Sequence, residues 1–516
     1  MFILAGCVID LEPLTLDTQI QQALSDRKAM FEAQPAPTAP IALEEALARA
    51  ISYNLQYRLT LMERALEDKI ADATALDMLP KLTARAGMTN RSNMSGSYSE
   101  NLETGSRTAS SSTSQDQTVK TADLQLSWNV LDFGLSYFGA KVQANKILAA
   151  EERRRRVVLN MMEQTRAAWW EAATAERLLP EIQRVLADAY QALDNSRAAE
   201  TQRLQTPTDA LQFQKNLLEM IQQLETVAAD LSVAKAQLAG QMNLPPGTAF
   251  TLATVDEATM TMPTMAAQLE DLEAISMVLR PEIREEGYLA RNAALETRMS
   301  LIRLLPGAQL FAGLNWDSNS YLVHNEWASA GMQVSWNLLN VLTIPRMLDA
   351  GEAKEKVAET RRQALRMTVL TQVNVAWYRF ERAARIFSRA SELQKIESRM
   401  YQQSMAAQDG GAQSDLQRIR AGAANILASR ARDRAFAEMQ NAYGAIFQAA
   451  GIDPFPHEMP DGGLSELAKA IADAWDDQSE DAIQVPDALK GAIRDEKRVS
   501  TLIGTENQPA ATQPGG

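Results

Sequence analysis

Two segments about 200 residues apart share one alternating pattern, and this pattern constrains the fold more than any other feature. They are residues 122–134, ADLQLSWNVLDFG, and residues 330–340, AGMQVSWNLLN. Apolar and polar side chains alternate in both, with the apolar positions at Leu124, Leu126, Trp128 and Val130, and at Met332, Val334, Trp336 and Leu338. Strict alternation with a period of two predicts a β-strand with one apolar and one polar face.

A second strand is predicted before each copy, so the chain carries four strands within an otherwise helical sequence. The predicted strands span about residues 81–89, 122–131, 307–316 and 330–339. Each pair is preceded by a helical pattern that ends in Leu-Pro, and is followed by a much longer helical pattern. This recurrence predicts an internal duplication of about 200 residues.

The duplication sets the predicted domain boundaries. The first repeat covers 41–247 and the second covers 269–453, with a linker at 248–268 between them. Residues 8–40 form an extended N-terminal segment that ends in repeated prolines. Residues 454–516 have no counterpart, and we predict a mostly disordered acidic extension with a short amphipathic piece near its start.

The helix after each tryptophan-containing strand is predicted to run for about 65 residues, or about 100 Å. Within the first, apolar residues repeat with the 3-4 spacing of a coiled coil at Leu179, Ile182, Leu186, Ala189 and Leu193. Pro180 is expected to kink or break this helix locally. Asp209 is the expected N-cap of the shorter helix that follows.

Strand length and strand number together favour a membrane barrel shared between copies. About ten residues span about 33 Å, which suits a tilted membrane strand. Four strands cannot close a barrel, whereas a dimer would supply eight and a trimer 12. The eight alternating apolar residues, from Leu124 to Leu338, are then candidates for the lipid-facing surface. The strands alone would also suit a soluble sandwich.

Composition excludes several classes of protein. The net charge of −14 argues against a nucleic-acid partner. One cysteine and two histidines exclude a disulfide framework and disfavour a Cys/His zinc site. No transmembrane helix, cofactor or metal site is predicted, and no nucleophile elbow, phosphate loop or catalytic histidine indicates an enzyme.

The single cysteine lies in Leu4-Ala5-Gly6-Cys7, which resembles the lipobox of bacterial lipoproteins. We therefore predict that residues 1–7 are the remnant of a signal segment and that Cys7 carries a lipid. A chance cysteine is the alternative, because the six preceding residues lack a basic region and are too short for the apolar core of a signal.

The sequence resembles the TolC-like outer membrane efflux proteins over about residues 41–453. Their turn signature is echoed at Asn54-Leu55-Gln56-Tyr57 and at Arg280-Pro281-Glu282-Ile283. Leu79-Pro80-Lys81-Leu82 is similar to their helix-to-strand junction, and Phe133-Gly134 to their strand-to-helix junction.

The resemblance implies an α+β membrane protein. Four strands per chain would be pooled into a 12-stranded trimeric β-barrel in the outer membrane, continued in the periplasm by a long-helix α-barrel. It also implies a periplasmic adaptor protein and an inner-membrane transporter as partners.

The family's periplasmic mouth is lined by aspartates near the turn of the second repeat. Asp415 matches the first of these, Arg418 stands where the next acidic residue is expected, and Asp409 is a further candidate. A ring of carboxylates would favour cations. The alternative role for Asp415 is a helix N-cap.

The leading hypothesis is thus a passive exit duct for small molecules or drugs. The outer membrane component of type I protein secretion is the alternative within that class. A soluble coiled-coil scaffold would explain the helices but not the two tryptophan-containing strands.

Overall fold

The computed structural model describes residues 12–32, 34–202, 207–255, 260–265, 267–409, 415–452 and 463–480, with side chains except at 408–409, 415–416 and 476–480. Cys7 and the lipobox lie outside this part of the chain. The described residues fall into two units. The helical unit draws on Met1–Leu61, Arg153–Ile283 and Leu365–Gly516, and the sheet unit on Met62–Glu152 and Arg284–Ala364.

The order of elements repeats, in agreement with the duplication. After α1 (Leu16–Phe31), the first repeat contains α2 (Leu43–Tyr53), α3 (Leu55–Leu76), β1 (Lys81–Asn90), β2 (Thr118–Asn129), α4 (Val130–Thr201), α5 (Pro207–Ser232) and α6 (Ala234–Gln241). The second contains α7 (Leu269–Leu279), α8 (Pro281–Ile302), β3 (Gly307–Asp317), β4 (Glu326–Ser335), α9 (Asn340–Asp409) and α10 (Asp415–Ala450), and α11 (Leu464–Glu480) follows it.

The predicted turn signatures separate pairs of helices. Asn54, between α2 and α3, and Arg280, between α7 and α8, adopt nearly the same extended backbone, with ψ of 124° and 127°. Asn54 Oδ1 accepts hydrogen bonds from the backbone N–H groups of Gln56 and Tyr57. Pro281 lies at the first position of α8. A backbone N–H at that position has no acceptor within the helix, so proline, which lacks this N–H, costs no hydrogen bond there.

The four strands form one antiparallel sheet in the order β1-β2-β3-β4. Two predicted strand ends are wrong. Val130 is the first residue of α4, and Trp336 and Leu338 lie beyond β4. The reason is the asparagine at each junction: Asn129 Oδ1 accepts from Leu131 N at 2.9 Å, and Asn337 Oδ1 accepts from Leu339 N at 3.1 Å. Such bonds to the backbone turn the chain out of the strand.

Two further predictions are also wrong. Residues 8–40 are predicted to be extended, but Leu16–Phe31 form the helix α1, whose first turn is capped by Thr15 Oγ1 accepting a hydrogen bond from Thr18 N. The helix α5 begins at Pro207, so Asp209 lies in its first turn and is not its N-cap; proline favours this first position because its φ is already helical. The helix α4 continues through Pro180, so of the predicted kink or break the break does not occur. None of the described helices has both the length and the apolar composition needed to cross a membrane.

Apolar side chains pack the long helices of the helical unit against the shorter ones. One core joins α4 to α5 and α6 through Trp169, Leu178, Ile182, Leu224 and Leu231. A second joins α9 to α10 through Val373, Phe380, Phe387, Met439 and Phe447. The predicted coiled-coil seam therefore lies in or against the buried core, with Ile182, Ala189 and Leu193 fully enclosed.

The described part of the C-terminal extension is the helix α11. Leu467 and Ile471 pack into a core with Leu47 and Ile51 of α2. The Trp475 ring lies 4.1 Å from the Arg166 guanidinium of α4. Burial lowers the pKa of Arg166 to about 10, against the opposing charge of Glu163.

In both repeats a residue with left-handed backbone conformation follows the last helix, and its position leads to a first prediction. Asn243 has φ of 57° and Gly451 has φ of 76°. A Cβ on Gly451 would lie 2.7 Å from the Leu279 carbonyl carbon and the Arg280 nitrogen. We expect Gly451→Ala to destabilise the protein by about 2–3 kcal/mol, from backbone strain and this close approach together.

Gly247 is the matched control for this substitution. It also has a positive φ, of 85°, but a Cβ there would meet nothing within 4 Å. Gly247→Ala should therefore cost only about 1 kcal/mol. Thermal unfolding followed by circular dichroism measures both, and equal shifts in Tm would show that the contact at Gly451 is unimportant.

Candidate functional site

The candidate site is the four-stranded sheet, which has one apolar and one mostly polar face. Directly opposed residues in antiparallel strands project to the same face, so the register assigns each side chain. Leu82 opposes Leu126, Leu124 opposes Leu314, and Leu310 opposes Met332. The apolar sheet face defined in this way comprises Leu82, Ala84, Ala86, Met88, Ala122, Leu124, Leu126, Trp128, Ala308, Leu310, Ala312, Leu314, Trp316, Ala328, Ala330, Met332 and Val334.

Charges appear only at one rim of the apolar sheet face. Lys120 opposes Met88, and Glu326 opposes Trp316, both close to the hairpin loops. The large apolar side chains of this face are 39–68 % exposed in the single chain. A continuous apolar surface over four strands is much more than a water-exposed monomer normally presents, and such surfaces mark contact with a membrane or a partner.

The opposite face, the polar sheet face, carries the alternate residues. It includes Lys81, Arg85, Asp123, Gln125, Ser127, Gln309, Asn315, Asp317, Ser329 and Gln333. Arg85 Nη1 lies 3.9 Å from Asp123 Oδ2 on the neighbouring strand. Asn315 Nδ2 donates to Ser329 Oγ at 3.0 Å. The polar sheet face is therefore held together in part by hydrogen bonds and ion pairs between neighbouring strands.

Five of the eight predicted lipid-facing residues lie on the apolar sheet face: Leu124, Leu126, Trp128, Met332 and Val334. The other three, Val130, Trp336 and Leu338, lie past the strand ends. Trp336 Nε1 donates to Leu304 O at 3.0 Å, and the Trp128 ring packs edge-on against Phe133. Sequence reasoning missed the contribution of β1 and β3, including Leu82, Leu310, Leu314 and Trp316.

The predicted mouth residues lie where α9 ends and α10 begins. The backbone of α9 ends at Asp409 and that of α10 begins at Asp415, and the side chains of both aspartates lie outside those described. Arg418 is described: its Nη1 donates to Asp188 Oδ2 of α4 at 2.7 Å. The basic residue in an acidic position thus has an acidic partner within its own chain.

Other titrating groups lie among the helices. In the sheet unit, burial raises the pKa of Glu286, and Arg361, 3.9 Å away, opposes this rise. In the helical unit, burial raises the pKa of Tyr443, whose ring packs against Phe447 and Trp475.

Comparison with known proteins identifies the fold. No family model and no curated protein sequence matches the chain. Among solved structures, the outer membrane channel MtrE of Neisseria gonorrhoeae is similar over 80 % of this chain and 89 % of its own, with a TM-score of 0.61 and 15 % identity. The outer membrane channel CmeC of Campylobacter jejuni matches 84 % of this chain and 89 % of its own, with a TM-score of 0.61 and 12 % identity.

CusC was crystallised in studies of its folding and transmembrane channel formation. It is similar over 81 % of this chain and 98 % of its own, with a TM-score of 0.60 and 15 % identity. The match extends over nearly all of that channel protein, so it includes both repeats. At this level of identity the comparison concerns the fold, and it agrees with the resemblance seen in the sequence. The chain has the α+β fold of the TolC-like outer membrane channel proteins.

Proposed function

We propose that the chain is one subunit of a homotrimeric outer membrane channel that acts as a passive exit duct. The observation that carries this proposal is the apolar sheet face, which is continuous, exposed in the single chain and backed by a polar face. An apolar band on one side and hydrated residues on the other is the requirement for a strand between lipid and an aqueous pore. The fold shared with outer membrane channels supports the same conclusion.

The open edges of the sheet require pairing between copies of the chain. β1 and β4 are its outer strands, and an open edge in a membrane would leave backbone polar groups without partners. Copies must therefore pair β4 of one with β1 of the next until the sheet closes. Three copies would give 12 strands; the trimer is preferred over a dimer because of the likeness to the TolC-like channels.

The same proposal places the long helices, α4 and α9, in the periplasm. Each is 70 residues or more, which corresponds to about 105 Å at about 1.5 Å per residue. A periplasmic adaptor and an inner-membrane transporter would complete the export path and supply the energy. Cys7 would carry a lipid that anchors the chain to the outer membrane.

Membrane fractionation tests the channel and separates it from a scaffold. We expect the full-length protein in the outer membrane fraction, released only by detergent, and migrating as a trimer in size-exclusion chromatography with light scattering. A monomer that stays in solution without detergent would overturn the proposal. Metabolic labelling with a fatty acid, compared with Cys7→Ser, tests the anchor separately.

Crosslinking in intact cells tests the choice of cargo. Small-molecule export predicts recovery of an adaptor together with a drug transporter. Recovery of an ATP-driven transporter together with a secreted polypeptide would instead establish type I secretion.

The Arg418–Asp188 pair gives a prediction for the mouth. We propose that Arg418 joins α10 to α4 close to the turn and, with Asp409 and Asp415, forms the narrow periplasmic end. A partly exposed pair of this kind contributes about 1 kcal/mol, so Arg418→Gln should shift the closed–open balance about fivefold toward open.

Single-channel recording in planar bilayers measures this shift as increased conductance or open time. Arg430→Gln is the control. Arg430 lies on α10, 12 positions after Arg418, and forms a 2.8 Å pair with Asp230 of α5. If both variants behave like the parent, Arg418 has no part in the mouth.

A further inference from the structure

The helix α1 carries an apolar stripe that nothing in the described part of the chain covers. Leu16, Ile20 and Leu24 follow one another at intervals of four residues, so they share one side of the helix. They are 71, 45 and 60 % exposed, and no residue of α1 is buried. We infer that this stripe packs against the next copy of the chain, on the outer side of its helix α9. The inference rests on the proposed function, in which the chain forms a homotrimer.

A helix of 16 residues with one apolar side is expected to need a partner for that side. Its own hydrogen bonds make such a short helix only marginally stable in water, and most helical stability in proteins comes from packing of the apolar side. The cap at Thr15 fixes where α1 begins, but a cap covers none of the stripe. The missing packing must therefore come from outside the single chain.

The C-terminal end of α1 is tied to the first repeat by hydrogen bonds. Asn243 Nδ2 donates to Met30 O at 2.8 Å. Gln34 Nε2, shortly after the helix, donates to Met242 O at 3.0 Å. These bonds hold the end of α1 at the end of α6, while its apolar stripe stays exposed.

The charges of α1 favour a protein partner over a lipid surface. Its charged residues are Asp17, Asp26, Arg27 and Lys28, so its net charge is zero. Helices that lie on membranes are rich in lysine and arginine on their polar side, which attracts anionic lipids. The rest of the polar side of α1 is mainly glutamine, serine and threonine, so the stripe suits a protein surface better than a lipid surface.

The proposed trimer brings the second repeat of one copy beside the first repeat of the next, because β4 of one pairs with β1 of the other. The helix α9 of the second repeat has two apolar sides. Val373 and Phe380 are buried against α10. Val375, Tyr378 and Ile386 lie on the opposite side and are exposed. This outer side of α9 is therefore an apolar surface available to α1 of the neighbouring copy.

The repeats also place the two surfaces at a similar height. Leu244, which follows Asn243, lies in the same core as Trp169, so the end of α1 is near the level of Trp169. Trp377 is the counterpart of Trp169 in the second repeat, because each follows the tryptophan after its strand pair at the same distance. Tyr378 is the next residue along α9, and it is the position chosen for the test.

Cysteine crosslinking of the full-length, detergent-solubilised trimer tests the contact. With a short bismaleimide, Ile20→Cys combined with Tyr378→Cys should give products of two and three chains on denaturing gels. Ser25→Cys combined with Tyr378→Cys is the matched control, because Ser25 lies on the far side of α1 and should give no product above that of the parent.

Leu24→Asp measures how much the contact contributes to the trimer. Dissociation of the heated trimer should become at least about tenfold faster, because burial of one leucine side chain is lost in each copy. Ser25→Asp introduces the same charge at the next residue and should leave the dissociation rate unchanged.

Three outcomes would overturn the inference: no product between chains with Ile20→Cys, an equal product with Ser25→Cys, or a parental dissociation rate in Leu24→Asp. Size-exclusion chromatography with light scattering of the same samples distinguishes failure of the channel itself. Intact trimers with one of these outcomes reject the docking of α1 alone and assign its stripe to lipid or to another protein. A monomer that is soluble without detergent rejects the proposed function and, with it, the docking.

Discussion

Replacing Leu314 with arginine is expected to abolish insertion into the outer membrane. Leu314 lies in the middle of the apolar sheet face, between Leu124 and Ala328, and its side chain is 63 % exposed in the single chain. An arginine on the lipid face near the bilayer midplane costs about 2–4 kcal/mol. Three copies would bring this to about 6–12 kcal/mol per trimer.

Gln125→Arg is the matched control for Leu314→Arg. Gln125 opposes Gly313 and follows Leu124 along β2, so the same charge is introduced one residue away but on the polar sheet face. The trimer recovered from outer membranes on unheated gels measures both variants. If Leu314→Arg gave a parental yield, or if Gln125→Arg failed equally, the two faces would not have the assigned environments.

The sequence predicts the strands well because their signal is local. Alternation at Leu124, Leu126 and Trp128 survives in the structure as one face, since side chains of a strand must alternate. The repeats emerge for the same reason, because each copy carries its own pattern. The ends of the strands could not be predicted from alternation alone: Val130 and Trp336 continue the pattern, but Asn129 and Asn337 turn the backbone before it is complete.

Assigning side chains to the two sheet faces required the pairing register between strands, which cannot be read from the sequence of any single strand. In β1 and β3 four of the nine apolar positions are alanine, as at Ala84, Ala86 and Ala312, so their alternation is fainter in the sequence. Pairing with β2 and β4 places them on the apolar sheet face. Trp327 precedes the predicted start of the last strand, and only its position opposite Asn315 places it on the polar sheet face.

Charged positions in the helices were the hardest to interpret from sequence. Arg418 departs from the acidic pattern of the TolC-like channels, and only the structure shows that Asp188, 230 residues earlier, is its partner. Likewise, nothing in the local sequence around Asp433 indicates that it is buried. Partners that lie far apart along the chain decide whether a charge stabilises or destabilises a helix pair.

Asp433→Ala is expected to be the most destabilising single substitution in the helical unit. The Asp433 side chain is 3 % exposed and accepts hydrogen bonds from Arg177 of α4 and from Arg432, whose Nε and Nη2 lie 3.1 and 3.0 Å from Oδ1. Removing this carboxylate takes away the anion on which two guanidinium groups converge. Breaking a buried ion pair from one side costs about 3–5 kcal/mol.

Asp230→Ala separates this effect from the loss of a carboxylate as such. Asp230 of α5 pairs at 2.8 Å with Arg430, which lies on α10 as Asp433 does. The Asp230 side chain is 55 % exposed, so its removal should cost at most about 1 kcal/mol. Thermal unfolding in detergent should then show a fall in Tm of roughly 5 °C for Asp433→Ala and of about 1 °C for Asp230→Ala. Equal falls would mean that burial of Asp433 does not control the strength of its ion pairs, and the α4–α10 contact would have to depend on its apolar core alone.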